Sequence, residues 1–248
     1  MKKSKVSVVT VVFNNKDGIK ETIESVINQT LPCEYIIIDG GSTDGTVDII
    51  KEYDTQIDYW VSEPDNGIYD AMNKGLQKVT GEWVCFMNSG DRFHDNTVIE
   101  DIFQKNYSNK VGVIWGNTDL YNKNKYVSKF KNKPFTMALM PYRTGMGICH
   151  QSMFICTRVA KELMFDTKYQ ISADFAMAYK IYKKGFKFIH VDKTVSNYDI
   201  SGISSLSENG IKILHENMRI FIESNPQYCI QYLLYSLFKQ YMRLKGKV

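Results

Sequence analysis

Short runs of apolar residues alternate with amphipathic segments along the first half of the chain. Three of these runs are rich in β-branched or aromatic residues and are each followed directly by a polar residue: Val6–Phe13, Tyr35–Ile38 and Trp83–Met87. Between the first two lies Asp17–Gln29, in which apolar residues recur at the three- and four-residue spacing of a helix face. This alternation predicts a mostly parallel sheet with helices on both faces over residues 5–117.

Further elements follow from the same periodicities and from turn residues. Residues 131–150 contain two prolines and two glycines and predict a loop with a short helix. A helical tail is predicted from Leu206 onward, with a break at Pro226. The other predicted helices are Thr46–Tyr53, Gly67–Val79, Asn96–Asn106 and Ala173–Lys184. The other predicted strands are Tyr59–Val61, Val111–Trp115, a strand and turn over 118–130, Ser152–Cys156, Lys187–Val191 and Thr194–Tyr198.

The composition is that of an ordinary globular protein. The 248 residues are 44% hydrophobic and 23% charged, and the net charge of +4 gives no indication of nucleic acid binding. No apolar run approaches the ~20 residues of a membrane span. The five cysteines lack a CxxC pair and the four histidines lack metal-ligand spacing, so neither a zinc site nor a disulfide framework is indicated. The basic N-terminus has no signal-peptide core, and we therefore expect a cytoplasmic protein.

The ends of the three apolar runs carry the residues of greatest chemical interest. The first run leads into Asn14, the second into Asp39 and a glycine turn, and the third into Asn88-Ser89-Gly90-Asp91. Because the carboxyl ends of parallel strands meet at one edge of a sheet, we expect these residues to line a single crevice. An aspartate before glycines is also typical of a tight turn, and the glycine run has neither phosphate-loop spacing.

Taken together, these segments resemble the family 2 glycosyltransferases, inverting enzymes of the GT-A fold, and among them the bacterial enzymes of O-antigen, capsule and exopolysaccharide synthesis. The matching segments are Val9–Asn14, Ser25–Thr30, Ile37–Thr46, Asn66–Gly75 and Gly81–Asp91. The resemblance implies an α/β, Rossmann-like, mostly parallel central sheet flanked by helices. It implies a GT-A domain at 1–205, with a nucleotide-sugar-binding half at 1–117 and an acceptor-binding half at 118–205, and a C-terminal helical extension at 206–248.

The resemblance also implies which residues hold the nucleotide-sugar. Asp39 would accept the N3–H of uracil, and the end of the first strand would hold the base and ribose. Asp70 and Asn73 are three residues apart, share a helix face and would meet hydroxyl groups. The implied set is Thr10, Phe13, Asn14, Asp39, Gly41, Ser42, Asp70, Asn73, Ser89 and Gly90. Core packing of the strand residues and a solvated helix start for the helical pair are the structural alternatives.

Asp91 is the implied metal ligand. The family carries an acidic cluster at this position, often Asp-x-Asp, that holds a divalent cation against the diphosphate. This chain keeps one acid in the cluster, so we expect Mn²⁺ or Mg²⁺ to be held by one carboxylate together with phosphate oxygens and water. The alternative is an aspartate that only completes a turn after Gly90.

Asp174 is the implied general base, because the family has an acid at the start of the corresponding helix. An inverting transfer requires one base to take the proton of the attacking acceptor hydroxyl. Capping of the helix is the structural alternative for this aspartate. His150 and Gln151 follow a glycine-containing loop and are assigned to acceptor binding, with contact to the donor sugar and a structural role for the histidine as the alternatives.

The sequence thus predicts an inverting glycosyltransferase that moves a sugar from a nucleotide-sugar, expected to be a UDP-sugar, to a hydroxyl of a growing bacterial surface glycan. The acceptor is expected to be linked to a polyprenyl diphosphate lipid. The aromatic, apolar and basic segment 228–243 would then contact the inner face of the membrane, or pack on the domain or a second subunit. The alternatives are a sugar nucleotidyltransferase and a non-catalytic nucleotide-sugar-binding or scaffold protein.

Overall fold

The computed structural model describes residues 5–122, 125–130, 147–200 and 210–226, together with five exposed residues near the C-terminus: Ile230, Leu234, Leu237, Phe238 and Tyr241. The strands are β1 (Val6–Val12), β2 (Glu34–Asp39), β3 (Tyr59–Ser62), β4 (Trp83–Phe86), β5 (Arg92–Phe93), β6 (Val111–Asn122), β7 (Lys125–Lys129), β8 (Met153–Cys156) and β9 (Lys187–Asp199). The helices are α1 (Lys16–Ile27), α2 (Thr46–Glu52), α3 (Ile68–Lys78), α4 (Val98–Phe103), α5 (Thr157–Leu163), α6 (Ala173–Lys183) and α7 (Gly210–Ser224).

One mixed sheet organises these elements. Its strand order is β3-β2-β1-β4-β8-β6-β9-β5, and β7 pairs with β6 outside this path. β3, β2, β1 and β4 are parallel to one another, β8 runs antiparallel to both β4 and β6, and β6 and β9 are again parallel. Since β2, β1 and β4 are parallel neighbours, their polar carboxyl ends lie along one edge, as the sequence predicts.

The sheet is buried on both faces, which explains why its central strands read as continuous apolar runs. Val9 of β1 belongs to the core formed with α3 and α6, whereas its neighbour Val8 belongs to the core formed with α1 and α4. Gly75 lets α3 approach the sheet closely, because a Cβ at this position would lie 2.5 Å from Val9 Cγ1. The α/β layering therefore follows from residues that alternate between the two cores.

Several predicted elements differ from those observed. Val111–Trp115 and the strand predicted from residue 118 form the single strand β6. Lys187–Val191 and Thr194–Tyr198 were expected as two strands, but they form the single strand β9, whose pairing with β6 shifts register between Trp115 and Asn117. At that shift a Cβ on Gly116 would clash with the carbonyl oxygen of Lys193, so only glycine fits. The helix predicted over Asn96–Asn106 is confined to α4. The sequence analysis did not predict β5 or α5.

The helical tail is described only in part. Its first helix, α7, buries Ile220 and Phe221, and the Phe221 ring lies 5.7 Å from that of Tyr179 in α6. None of the helices in the described ranges is both long and apolar enough to cross a bilayer. Most of the predicted loop at 131–150, the tip of the turn at 123–124 and most of the segment 227–248 lie outside the described residues.

Candidate active site

Asp39 ends β2 at the polar edge, and its carboxylate binds its own turn. Oδ2 accepts hydrogen bonds from Gly41 N (3.1 Å), Ser42 N (2.9 Å) and Ser62 Oγ (2.5 Å), and Oδ1 accepts one from Ser42 Oγ (2.5 Å). Gly41 has a φ of +85°, which glycine adopts without steric cost and which this tight turn requires. The side chain is fully buried, and Oδ1 is the oxygen with capacity for a further donor.

The end of β1 meets this turn through Asn14. Asn14 N donates to Ser42 Oγ (2.7 Å), and Asn14 Oδ1 accepts from Thr43 N (2.9 Å). The neighbouring Phe13 is 64% exposed. Thr10, in contrast, is fully buried and its hydroxyl lies 3.1 Å from Tyr35 OH in the core. Asn14, Ser42 and Phe13 thus lie at the edge of the sheet, whereas the Thr10 side chain lies inside it.

Asp65 is a carboxylate at this edge that the sequence analysis did not select. Its Oδ2 lies 2.5 Å from where a Cβ on Gly40 would be, so the glycine that follows Asp39 makes room for this second acid. Asp65 Oδ1 accepts a hydrogen bond from Gly67 N (2.8 Å) at the start of α3. No local motif distinguishes this residue from an ordinary turn aspartate.

Asp70 and Asn73 lie on α3, as predicted, but their side chains have different partners. Asp70 Oδ2 accepts a hydrogen bond from Asn66 N (3.0 Å) and so closes the turn before the helix. Asn73 is bound on both sides of its amide to the backbone of Phe165, through Nδ2 to the carbonyl (2.9 Å) and Oδ1 to the N–H (2.8 Å). Asn73 therefore fixes the segment that leads to α6.

The residues after β4 form a tight turn. Asp91 N donates to the Asn88 carbonyl (2.9 Å), and Gly90 has a φ of +100° at the position where a type II turn requires a positive angle. Ser89 Oγ accepts from Asn15 Nδ2 (3.0 Å), which ties this turn to the start of α1. Ser89 and Gly90 therefore lie beside the loop that follows β1, where the sequence predicted them.

Asp91 is 5% exposed, and His150 is a positively chargeable side chain near enough to act on its pKa. The Asp91 carboxylate accepts hydrogen bonds from Gln151 Nε2 (2.9 Å) and Asp199 N (3.0 Å). Burial raises the pKa of Asp91 to about 6, although these two hydrogen bonds oppose the rise. The hydrogen bonds and His150 therefore offset only part of the cost of burying an ionised Asp91.

The turn after β4 presents oxygen atoms that could serve as ligands to the predicted metal ion. Asp91 and the buried Asn88 Oδ1, which has no hydrogen-bond partner among the described residues, are hard oxygen donors of the type that Mg²⁺ and Mn²⁺ prefer. Their chemistry fits such an ion. Within the described ranges, however, no group of three or more His, Cys, Asp or Glu residues is arranged to hold one, so protein ligands alone would not fill its coordination sphere.

Asp174 lies in the first turn of α6 and is linked to the turn after β4. Its Oδ2 is 3.3 Å from His150 Nδ1, and His150 Nε2 is 3.1 Å from Asn88 Nδ2. Because the Asn88 amide group donates, Nε2 accepts and the Nδ1 proton of a neutral His150 points at Asp174. Phe175 N donates to Asp174 Oδ1 (2.8 Å), and the start of α6 favours a negative charge there.

Two further residues, neither selected by the sequence analysis, bind the backbone of the segment that precedes Asp174. Tyr69 OH donates to the Ile171 carbonyl (2.6 Å) and lies 3.3 Å from Asp174 Oδ1, and burial raises the Tyr69 pKa well above its usual value. Glu216 of α7 accepts hydrogen bonds from three successive backbone N–H groups, those of residues 170–172, at 2.8–3.0 Å. The tail helix is therefore part of the structure around Asp174.

Most of the predicted site residues thus fall into two groups. The first lies around the turn of Asp39 and the second around Asp91, Gln151, His150 and Asp174, with Asn88 as the link between the halves of the chain. Three predicted residues make their contacts elsewhere: Thr10 in the core, Asp70 in the turn before α3 and Asn73 with the backbone of Phe165.

Comparison with known proteins gives relatives along most of the chain. Residues 7–186 match the family described as Glycosyl transferase family 2. An uncharacterised glycosyltransferase of Mycobacterium tuberculosis (strain H37Rv) is 33% identical over 175 residues, which are 68% of this chain and 65% of that protein. The poly(ribitol-phosphate) beta-N-acetylglucosaminyltransferase TarP of Staphylococcus aureus is 33% identical over 131 residues, 50% of this chain and 40% of TarP. The chain spans less than two thirds of the length of either relative.

Solved structures show the same fold. S. aureus TarS 1–349 in complex with UDP has a TM-score of 0.67 at 20% identity, covering 87% of this chain and 64% of that chain. The mannosyltransferase PcManGT of Pyrobaculum calidifontis, in complex with GDP-Man and Mn²⁺, has a TM-score of 0.61 at 18% identity, covering 80% and 57%. The expected GT-A fold is confirmed by this likeness. Since the family match extends over well more than half of its residues, the chain belongs to glycosyl transferase family 2.

Proposed function

We propose that this chain transfers a sugar from a nucleotide-sugar to a hydroxyl of a bacterial surface glycan, with Asp174 as the general base. One observation carries the proposal. The candidate base is connected through His150 to Asn88, in the turn at the carboxyl end of β4, although Asn88 and Asp174 are far apart in the sequence. A proton acceptor on the acceptor side therefore adjoins the edge at which a nucleotide-sugar is expected.

The nucleotide would bind across the ends of β1 and β2. Asp39 Oδ1 accepts a single hydrogen bond, so it retains capacity for the N3–H of a uracil ring. The exposed Phe13 ring lies beside the same turn and offers an apolar surface to the base or ribose. A UDP-sugar is supported by the UDP bound to TarS, and the GDP-Man of PcManGT makes guanosine nucleotides the comparison to test.

The diphosphate would lie near the turn formed by residues 88–91. Asp91 and Asn88 would contribute the protein's ligands to Mn²⁺ or Mg²⁺, as the Mn²⁺ in the complex of PcManGT supports. When bound, such a cation offsets the charge of the departing nucleoside diphosphate. Gln151 would keep the Asp91 carboxylate in a fixed orientation through its hydrogen bond, which is a different role from the acceptor binding assigned to it above.

Asp174 would take the proton of the acceptor hydroxyl as that oxygen attacks the anomeric carbon. His150 donates towards one carboxylate oxygen and Phe175 N towards the other, so the carboxylate is oriented before the acceptor arrives. A single displacement of this type inverts the anomeric configuration. His150 would thereby act as a positioning residue for the base, beside its proposed contact with the acceptor.

The acceptor is proposed to be a bacterial surface glycan carried by a lipid diphosphate. The relative TarP acts, by its name, on poly(ribitol-phosphate), which supports a surface polymer as the class of acceptor. The five described residues of the segment 230–241 are apolar or aromatic and 51–74% exposed, at the spacing of one helix face. We propose that this face brings the enzyme to the membrane, where lipid-linked acceptors are located.

The experiment is a donor panel measured with wild type and Asp174→Asn. UDP-, GDP- and dTDP-sugars are incubated with Mn²⁺ and a lipid-linked acceptor fraction, and the released nucleoside diphosphate is quantified. The variant should lose about 10²–10⁴-fold in rate because the proton acceptor is removed, while its nucleotide affinity by calorimetry stays unchanged. Transfer at the wild-type rate would remove Asp174 from the base role. Nucleotide binding without transfer from any donor would instead indicate a binding protein.

A further inference from the structure

A small cavity adjoins Asp174, and its lining includes His150 and Gln151. It has a volume of about 190 Å³ and lies between residues 147–151, the start of α6 and the tail helix α7. Pockets that hold whole drug-sized ligands have volumes of roughly 300–1,000 Å³, so this one suits a single monosaccharide unit. His150 and Asp174 line the cavity, so a hydroxyl group bound there would lie near the proposed base.

Asn217 of α7 lines this cavity and is not satisfied by the protein. It is 6% exposed, and its Oδ1 has no hydrogen-bond partner among the described residues. A buried polar group without a hydrogen-bond partner destabilises a folded protein. Such a residue therefore either lowers stability without a functional gain or binds a ligand that supplies the partner. The missing partner must be a donor, since Oδ1 only accepts hydrogen bonds.

The other walls indicate the chemistry of that donor. Phe175, Tyr198 and Ile213 provide aromatic and aliphatic surface, and the described lining contains no lysine or arginine. Asp174 is the acidic residue of the described lining, so a phosphate or carboxylate in the cavity would meet like charge, and among the described lining residues only His150, the partner of Asp174, could offset it. A neutral sugar ring has apolar faces and hydroxyl donors, and it matches both the surface and the orphaned oxygen.

We propose that this cavity is the acceptor subsite, that it takes a neutral, unphosphorylated sugar unit, and that Asn217 accepts a hydrogen bond from one of its hydroxyl groups. This inference rests on the proposed function, because it names the acceptor of the same reaction. It assigns a specificity role to α7, for which the sequence analysis predicted a helix but no contact with the site. It also distinguishes this chain from an enzyme whose attacking unit bears a phosphate or a carboxylate.

The test is ligand binding measured by saturation-transfer NMR on the full chain with UDP and Mn²⁺ present. The probes are neutral methyl glycosides of glucose, galactose and N-acetylglucosamine, with methyl glucuronoside and glucose 6-phosphate as anionic counterparts. At least one neutral glycoside should bind, and the anionic probes should bind at least about tenfold more weakly. Asn217→Leu keeps the approximate size, removes the acceptor oxygen and should weaken the neutral glycoside about tenfold.

The matched control is Asn225→Leu. Asn225 is a buried asparagine directly after the same helix, and both the nitrogen and the oxygen of its side-chain amide are hydrogen-bonded. Asn225 Nδ2 donates to Tyr179 OH and to the Phe221 carbonyl, and Oδ1 accepts from Lys183 Nζ. This variant should lose thermal stability and retain glycoside affinity. Asn217→Leu should retain or gain stability, because it removes an unpaired polar atom. A merely structural Asn217 would give the opposite stability result.

Two outcomes would overturn the inference. One is an Asn217→Leu protein that binds the neutral glycoside as wild type does, and the other is tighter binding of the anionic probes. Failure of the proposed function gives a different result, since the donor panel would then show no sugar transfer by the wild type, whether or not calorimetry shows nucleotide binding.

Discussion

The buried carboxylate of Asp91 should make the stability of the protein depend on pH, and Asp91→Asn should remove that dependence. The substituted amide would retain the shape of the side chain and an oxygen for Asp199 N, and the Gln151 amide can rotate to accept from the new amide group. The substitution therefore removes the titrating charge and leaves the hydrogen bonds in place.

The magnitude follows from the raised pKa. Burial raises the pKa of Asp91 from 3.8 to about 6 in the folded protein. At about 1.4 kcal/mol per pH unit, this difference corresponds to about 3 kcal/mol. Because the folded pKa exceeds the unfolded one, the folded state holds its proton more tightly. The favourable contribution of protonated Asp91 is present below pH ~3.8 and is lost as pH rises through about 6.

The assay is urea unfolding of wild type and Asp91→Asn at several pH values between about 4 and 7.5, in chelator. As pH rises, the free energy of unfolding of the variant should increase relative to that of the wild type by up to about 3 kcal/mol, which corresponds to roughly 6–12 °C in Tm for a chain of this size. Adding Mn²⁺ and UDP at the upper end of this range should stabilise the wild type more than the variant, because only the wild type offers a negative charge to the cation.

Glu223→Gln is the control of opposite sign. A hydrogen bond from Lys168 is the main cause that lowers the pKa of Glu223 to about 2, so its stabilisation is present above the unfolded pKa and is lost as pH falls towards 2. The difference in unfolding free energy between Glu223→Gln and the wild type should stay nearly constant between about pH 5 and 7.5. Two results would refute the burial argument for Asp91. One is a difference in unfolding free energy between wild type and Asp91→Asn that does not change with pH, and the other is an Asp91→Asn protein that is less stable than the wild type at the upper end of the pH range.

Two further predictions concern the C-terminal segment. Glu216→Ala leaves the three N–H groups of residues 170–172 without their acceptor, so it should reduce the free energy of unfolding by about 2–4 kcal/mol and reduce kcat more than donor affinity. Glu223→Ala, which loses surface contacts, should change the free energy of unfolding and kcat less. Equal effects of the two substitutions in urea unfolding and in kinetics would exclude a positioning role for Glu216. Deleting residues 227–248 should preserve Tm while weakening sedimentation with anionic vesicles, and unchanged vesicle binding would contradict membrane contact through this segment.

Much of the fold was predictable because the evidence for it is local. β1, β2 and β4 are apolar runs that end in polar residues, and parallel neighbours necessarily present those ends together. The turn at Asp39 was likewise predictable from its glycines. The long strand β9 was not, because its continuity depends on pairing with β6 across a register shift at Gly116, which is a property of two distant segments.

The roles of individual side chains were harder to predict, since their partners lie far away along the chain. Asn73 occupies a helix face that suggests ligand contact, but its amide is taken by the backbone of Phe165, 92 residues later. Thr10 has the same difficulty, because a strand position alone does not say which face of the sheet it occupies. Conversely, the link from Asn88 through His150 to Asp174 joins three segments whose proximity no local pattern encodes.

The tail helix shows where a local signal was present but was not used. Ile213, Asn217, Ile220 and Phe221 have the spacing of one helix face, and a polar residue in such a stripe requires a partner. The Asn217 side-chain oxygen has none in the described protein, and the cavity it lines contains Asp174. Because α7 and Asp174 line the same cavity, the polar interruption of this stripe is consistent with the acceptor subsite proposed above, in which the C-terminal helix and the domain that bears Asp174 act together.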